Sequence, residues 1–329
     1  MIEKIHQKGG YSLQRIKDFQ EKLSTSEELK KQKELCIYTT GSYGRLEASE
    51  YSDIDLFFLH DKPSAFPKLN KTLIDAHIIV ASREMNFPEF SGDGEYLEIH
   101  SVQEIYRELG SRKDDYHNFF TARMLLLLES KPIYNEELHS HFIDSTIDKY
   151  YKDFHEHEKN FQPVFIVNDV IRFWRTICLN YEHNRNRKFE HPDKHTLEQI
   201  NRKKSETHVK NIKLKFSRKL TCFSFLLSVL YRNEIVTQED IKGIISQTPL
   251  VRLANLIEYG ANQEDVNLLV DLYFWFLETT QKEKQELVEW IGIQENRDLA
   301  FSKSREFAKL IFKMMMETKN KENLSYFLI

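Results

Sequence analysis

Leu13, Ile16, Phe19 and Leu23 recur at three- and four-residue spacing among charged neighbours, which predicts an amphipathic helix over residues 13–33. The period then changes. LCIYTT (35–40) is β-branched and aromatic and stops at Gly41, and after a polar loop DIDLFFLH (53–60) forms a second short apolar run. Two strands joined through a glycine turn are predicted. Helical spacing returns from Phe66 to about Met85, GDG at 92–94 breaks it, and YLEIHSV (96–102) alternates polar and apolar residues as a third strand does. Beyond it strand signals end. YHNFFTARMLLLLES, FIVNDVIRFWRTICLNYE, IKLKFSRKLTCFSFLLSVLYR, VNLLVDLYFWFLETTQ and FAKLIFKMMMET are long runs with helical spacing. The pattern predicts an α+β chain: a small mixed-sheet domain with an N-terminal helix over 1–112, then a larger all-α helical domain over 113–329. The most polar interior stretch, Tyr181 to Ser217, is expected to be a loop or a mobile helix pair.

Composition narrows the class. With only 10 Gly and 7 Pro in 329 residues, against 40% hydrophobic and 30% charged positions, a mostly helical globular protein follows and a collagen-like, disordered or β-sandwich one does not. Lys and Arg total 47 against 51 Asp and Glu, a net charge of -4, so any basic site is local. Cys36, Cys178 and Cys222 are far apart in apolar runs and read as reduced core residues. The first residues lack the apolar core of a secretory signal, and the longest apolar run, 220–231, is too short to span a bilayer. A cytoplasmic chain without a membrane partner is expected.

The chemistry concentrates in TTGSYGRLEASEYSDIDLFFL (39–59). Gly41 and Ser42 end a strand, and Asp53 and Asp55, spaced two apart on the next one, leave the same face. Two carboxylates so placed can share Mg2+ or Mn2+, hard cations that also take phosphate oxygens and can hold a nucleoside triphosphate such as ATP. The Gly-Ser turn offers backbone N–H groups and a hydroxyl to the phosphates.

Gly41-Ser42, ten residues, then Asp53-Ile54-Asp55-Leu56 between apolar neighbours resembles the nucleotidyltransferase superfamily that includes DNA polymerase β. GSYGRLEASEYSDIDLFFL and LEIHSVQEI (97–105) look, more narrowly, like the nucleotidyltransferase domain of PII uridylyltransferases and related bacterial enzymes, over roughly residues 35–130. The resemblance implies transfer of a nucleoside monophosphate from an NTP to an acceptor hydroxyl with release of pyrophosphate. The acceptor would be an RNA or tRNA end, a protein side chain, a small molecule or a second nucleotide. It also implies a third carboxylate that completes the metal site or takes the acceptor proton; Glu98 is the candidate, with Asp93 and Glu95 close in sequence. A non-catalytic, NTP-binding regulatory protein is the alternative.

Arg45 follows the glycine turn, placed either to reach the β- or γ-phosphate or to pair with Glu47 or Glu50. Asp75 falls on the polar face of its helix, and His100 reads as a polar strand residue. Asn168, Asp169, Arg172 and Arg175 form a helical stripe that lines a cleft or builds a salt-bridge ladder. The sharpest local charge is NRKKSETHVKNIKLKFSRKL (201–220), with eight cations against the single acid Glu206. It is either a solvated face or a phosphate-binding surface, for an RNA backbone or, through Lys215 and Lys219 four residues apart, for the triphosphate.

Overall fold

The run LCIYTT is the centre of a sheet in the computed structural model of this chain, which describes residues 1–62, 66–90, 97–159, 161–187, 196–232 and 235–328. Helices α1 (Ile2–Ser24) and α2 (Glu27–Lys30) lead into β1 (Leu35–Thr40), the single turn α3 (Gly41–Gly44), β2 (Asp55–His60), α4 (Lys68–Glu84) and β3 (Ile99–Ser101). Then come α5 (Val102–Arg107), α6 (Arg112–Tyr116), α7 (Phe119–Glu129), β4 (Lys131–Tyr134) and α8 (Glu136–Tyr150). The rest is helical: α9 (Val164–Arg187), α10 (Leu197–Lys213), a π-helical turn at Leu214–Arg218, α11 (Lys219–Leu230) and α12 (Gln238–Ser246). α13 (Pro249–Asn255), α14 (Gln263–Thr280), α15 (Lys284–Gly292), α16 (Gln294–Glu317) and α17 (Leu324–Leu328) complete it.

The sheet order is β3-β2-β1-β4, with β1 antiparallel to β2 and β4, and β2 parallel to β3, so the sheet is mixed and the chain α+β. Alternation along the strands gives each face its own cover. Leu35, Ile37, Leu56 and Phe58 join Ile16 and Phe19 of α1 and Ile74 and Ile78 of α4 in one core. The opposite face carries Tyr38 and Phe57, whose rings stack with centroids 5.7 Å apart, and the Tyr38 hydroxyl donates to the Ala122 carbonyl of α7 at 3.2 Å. Helix α7 is buried along almost its whole length, which is why FFTARMLLLLE is apolar all round.

Three details differ from the sequence expectation. Helix α1 buries Ile5, Ser12, Ile16, Phe19 and Leu23 and leaves Leu13 exposed, because the Ser12 hydroxyl accepts the Ala48 N–H at 2.9 Å and holds the loop after α3. The sheet has a fourth strand, β4, beyond the expected boundary at 112. Two compact units result, one of Ile2–His157 with Thr237–Thr248 and one of Glu158–Val236 with Pro249–Ile329. A sheet cannot be divided between units, so α7, β4 and α8 go with the N-terminal one, and α12 returns to it through the Lys242–Asp144 ion pair and the Tyr151 hydroxyl on the Thr237 carbonyl. The polar stretch 181–217 contains the end of α9 and all of α10; residues 188–195 and the GDG at 92–94 lie outside the described residues. Among the described residues no helix is long and apolar enough to cross a membrane. Cys36 and Cys222 are buried and Cys178 half-buried, and all three are free thiols.

One buried imidazole lies behind the sheet. The Ser130 hydroxyl donates to the Leu126 carbonyl at 2.6 Å, so toward His139 Nε2, 2.8 Å away, it accepts, and the histidine carries its proton on Nε2. Burial, helped by Lys131, pushes the His139 pKa down from 6.5 to about 4. Between those values the unfolded chain binds a proton that the folded chain refuses, so this contribution to stability is full above pH 6.5 and is lost as pH falls toward 4. The loss reaches about 3 kcal/mol at the acid end of that window. Denaturant unfolding followed across pH 4–7 is expected to show this slope in the wild-type chain and a shallower one in His139→Gln; equal slopes would exclude His139 as its source.

Candidate active site

The turn that links β1 to β2 is built by close backbone approach. Thr40 faces Asp55 across the antiparallel pair, and the Thr39 hydroxyl donates to the Asp55 carbonyl at 3.0 Å. The next residue, Gly41, has φ +65°, and a Cβ on it would lie 2.5 Å from Asp55 Oδ2. Only glycine takes this conformation without strain, and only a hydrogen there leaves room for the carboxylate. The turn then closes on itself: Arg45 N–H donates to the Gly41 carbonyl at 3.1 Å and Glu47 N–H to the Ser42 carbonyl at 2.8 Å. Leu46 sits in left-handed backbone at φ 59°, a conformation that costs a non-glycine residue about 1 kcal/mol or more. Gly44 presses on the end of α7, where a Cβ would stand 1.9 Å from the Glu129 carbonyl oxygen.

Arg45 takes the pairing alternative. It is 7% exposed, with Nε donating to Glu47 and Nη1 to Glu129, each at 2.8 Å. Of the partners expected from the sequence it takes Glu47, and it adds Glu129, 84 residues away. The guanidinium therefore fixes the turn to α7 from inside the protein. Glu129 was missed because a buried acid at the end of an apolar helix carries no local signature.

Asp55 opens β2, while Asp53 lies two residues ahead of the strand rather than on it. Both are half-buried, and Ile54, Leu56 and Phe58 between and after them point into the α1/α4 core. Alternation therefore sends Asp55 to the other side, with Phe57. Asp53 forms no ion pair among the described residues. Glu98 is exposed and immediately precedes β3, which pairs Ile99 with Phe58. Continuing that register by one residue sets Glu98 level with Phe57, on the Asp55 side of the sheet; Leu97 faces the core. Glu98 is thus about two residues along and one strand across from Asp55, roughly 8 Å between backbones. Among the described residues no three His, Cys, Asp or Glu side chains gather as a metal site. The competing acids Asp93 and Glu95 lie outside the described residues.

The other residues singled out from the sequence are placed as follows. Asp75 bonds Lys71 at 2.6 Å on the α4 surface, the expected polar face. His100 packs edge-on to Phe119, and burial lowers its pKa. Arg172 pairs with Asp169 at 3.5 Å, the first rung of the ladder reading. Lys215 and Lys219 belong to the other unit.

Residues 22–176 match the family model of the nucleotidyltransferase domain. The match spans the whole sheet, the Gly41–Ser42 turn and both aspartates, and ends before the basic run. A search of curated proteins found no match.

The packing of the turn makes its two central residues structural. Gly44→Ala forces a side chain onto the Glu129 carbonyl and is expected to cost about 2 kcal/mol or more, a fall in Tm of about 5 °C. Arg45→Met leaves two buried carboxylates without this guanidinium and is expected to cost about 3 kcal/mol or more. Calorimetric melting checks both; an Arg45→Met protein that melts with the wild type but shows a raised KM for nucleotide would return the arginine to phosphate.

Proposed function

Since residues 22–176 belong to the nucleotidyltransferase superfamily, we propose that this chain transfers a nucleoside monophosphate from an NTP, ATP among the candidates, to an acceptor hydroxyl. The reading is carried by one observation: the Asp55 carboxylate lies against the Cα of Gly41, so the acid and the phosphate-binding turn occupy one place. A divalent cation fits this donor set. Mg2+ is commonly held by one or two carboxylates with substrate phosphates and water completing its octahedron, so Asp53 and Asp55 are sufficient protein ligands even without a three-acid cluster. When bound, Mg2+ or Mn2+ would neutralise triphosphate charge and stabilise the pentacoordinate phosphorus and the departing oxygen.

The chain's own residues do the rest. Gly41 and Ser42 bind the triphosphate through backbone N–H groups and the serine hydroxyl, holding the α-phosphorus beside the aspartates. The acceptor oxygen forms its bond to the α-phosphorus as the bond to the β-phosphate bridging oxygen breaks, and pyrophosphate leaves. Glu98, on the same side of the sheet, takes the hydroxyl proton or supplies a further metal ligand. Arg45 keeps the turn in register with α7 without touching substrate. The acceptor classes are an RNA or tRNA end, a protein side chain, a small molecule or a second nucleotide, and the reaction is cytoplasmic.

Purified protein incubated with each α-labelled NTP, Mg2+ or Mn2+, and total RNA or cell lysate is expected to pass label to one acceptor class. Asp53→Asn and Asp55→Asn should each lower transfer by about a hundredfold or more with the circular dichroism spectrum unchanged. Glu98→Gln should lower turnover well beyond the same change at Glu95. Label that binds as intact NTP and is never transferred would favour the regulatory alternative; a folded double aspartate variant that still transfers would end the assignment.

A further inference from the structure

The two aspartates reach the site by different routes. Asp55 is paired with Thr40 across the sheet, so strand pairing fixes its backbone. Asp53 lies before β2 and takes its place from the chain on either side of it. Behind it Ile54 is buried in the α1/α4 core. In front of it runs the loop of residues 45–52, which belongs to no strand.

That loop is anchored from α1. Ser12, in the middle of the helix and fully buried, accepts the Ala48 N–H at 2.9 Å. A serine inside a helix commonly turns its hydroxyl back to a carbonyl one turn earlier; here the oxygen takes a donor 36 residues away. Three residues before it Gly9 faces Leu46, and a Cβ on the glycine would lie 3.4 Å from the Leu46 Cβ and 3.6 Å from its carbonyl oxygen. Leu46 is the loop residue held in left-handed backbone, at φ 59°, a state that persists only where its surroundings impose it. Past Ala48 the loop has little slack. Ser49 N–H donates to Ser52 Oγ and Ser52 N–H to the Ser49 carbonyl, each at 3.0 Å, so residues 49–52 close into a β-turn that joins Asp53 directly. Without the Ser12 hydroxyl, the buried Ala48 N–H loses its acceptor and the loop its fixed point.

From this chain of contacts we propose that Ser12 is a positioning residue for Asp53: by holding Ala48 it fixes the loop that presents this carboxylate to the divalent cation. Ser12 precedes residue 22, where the family match begins, so the N-terminal helix adds to the site from outside the matched residues. The role rests on Asp53 being a metal ligand for nucleotidyl transfer. A strand-held Asp55 and a loop-held Asp53 would then respond differently to the loss of one hydroxyl, and that difference is measurable.

Hydrogen exchange and Mn2+ binding on the full chain test it. Ser12→Ala is expected to speed amide exchange about tenfold in the peptide spanning 46–53 and to leave β2 at the wild-type rate. With a non-hydrolysable ATP analogue bound, Mn2+ affinity read by electron paramagnetic resonance should fall about fivefold, while metal-free affinity for the analogue stays within about twofold. Ser12→Thr, which keeps the oxygen, should restore both. In an Asp53→Asn background Ser12→Ala should weaken Mn2+ no further, since the ligand it positions is already gone. In the wild-type chain, Mn2+ with the analogue should slow exchange of the Ala48 amide, which answers the question even where the variant does not fold. Additive losses in the double variant, an Ala48 amide indifferent to metal, or a Ser12→Ala protein that melts lower with Mn2+ affinity unchanged overturns the role. The two readings fail separately. Wild-type Mn2+ affinity and transfer in Asp53→Asn would remove the metal assignment itself; loss of both there, with neither lost in Ser12→Ala, would remove only the part given to Ser12.

Discussion

The Glu129 carbonyl oxygen stands where a side chain at residue 44 would begin, and much of the N-terminal unit depends on that contact. With glycine at 44 the turn after β1 can lie flat on the end of α7; with Arg45 inside, bonded to Glu47 and Glu129, it is tied there as well. Once the turn is fixed to α7 its other end is fixed too, because Gly41 continues β1 and Thr40 is paired with Asp55. The Asp55 carboxylate is thereby delivered to the Gly41 Cα, where a methyl group would displace it. The position of an acid beside the Gly41–Ser42 turn follows from two absent side chains and one buried cation.

What the sequence made legible was local. β1 and β2 announce themselves by β-branched and aromatic residues of the right length, the glycines by the turn between them, and the aspartates by a spacing of two. β4 was hidden for a physical reason. KPIY is four residues with a proline, follows a strongly helical apolar run, and is stable only because it pairs at the sheet edge with β1, where proline is tolerated. It lies past the boundary expected at 112. The return of α12 to the sheet unit is similarly silent, since an ion pair between Lys242 and Asp144 has no trace in either local segment. Leu13 and Ser12 show the same limit on a smaller scale: hydrophobicity favours the leucine for the core, whereas Ser12, bonded to Ala48, continues the buried stripe of Ile16, Phe19 and Leu23.

Charge shows where local reading ends. From composition alone every cation in the chain is equivalent, yet burial and partners sort them into different functions. Arg123 is fully buried and makes a two-pronged contact to Asp114, both bonds 2.8 Å, with its Nε on the Tyr150 hydroxyl. Arg45 is buried between two carboxylates. Such groups bear the cost of desolvation only because their countercharge lies inside the protein, and they act as fasteners between elements.

Lys215 and Lys219 invert that logic. They too lose part of their hydration, but among the described residues neither pairs with a carboxylate, and each sits over an aromatic ring instead. Aromatic faces recover a fraction of the lost solvation, about 1 kcal/mol for a partly exposed pair, which is less than a carboxylate would give. The fold thus supports its buried cations in two ways, with carboxylates inside the protein for Arg45 and Arg123 and with ring faces at the rim for Lys215 and Lys219.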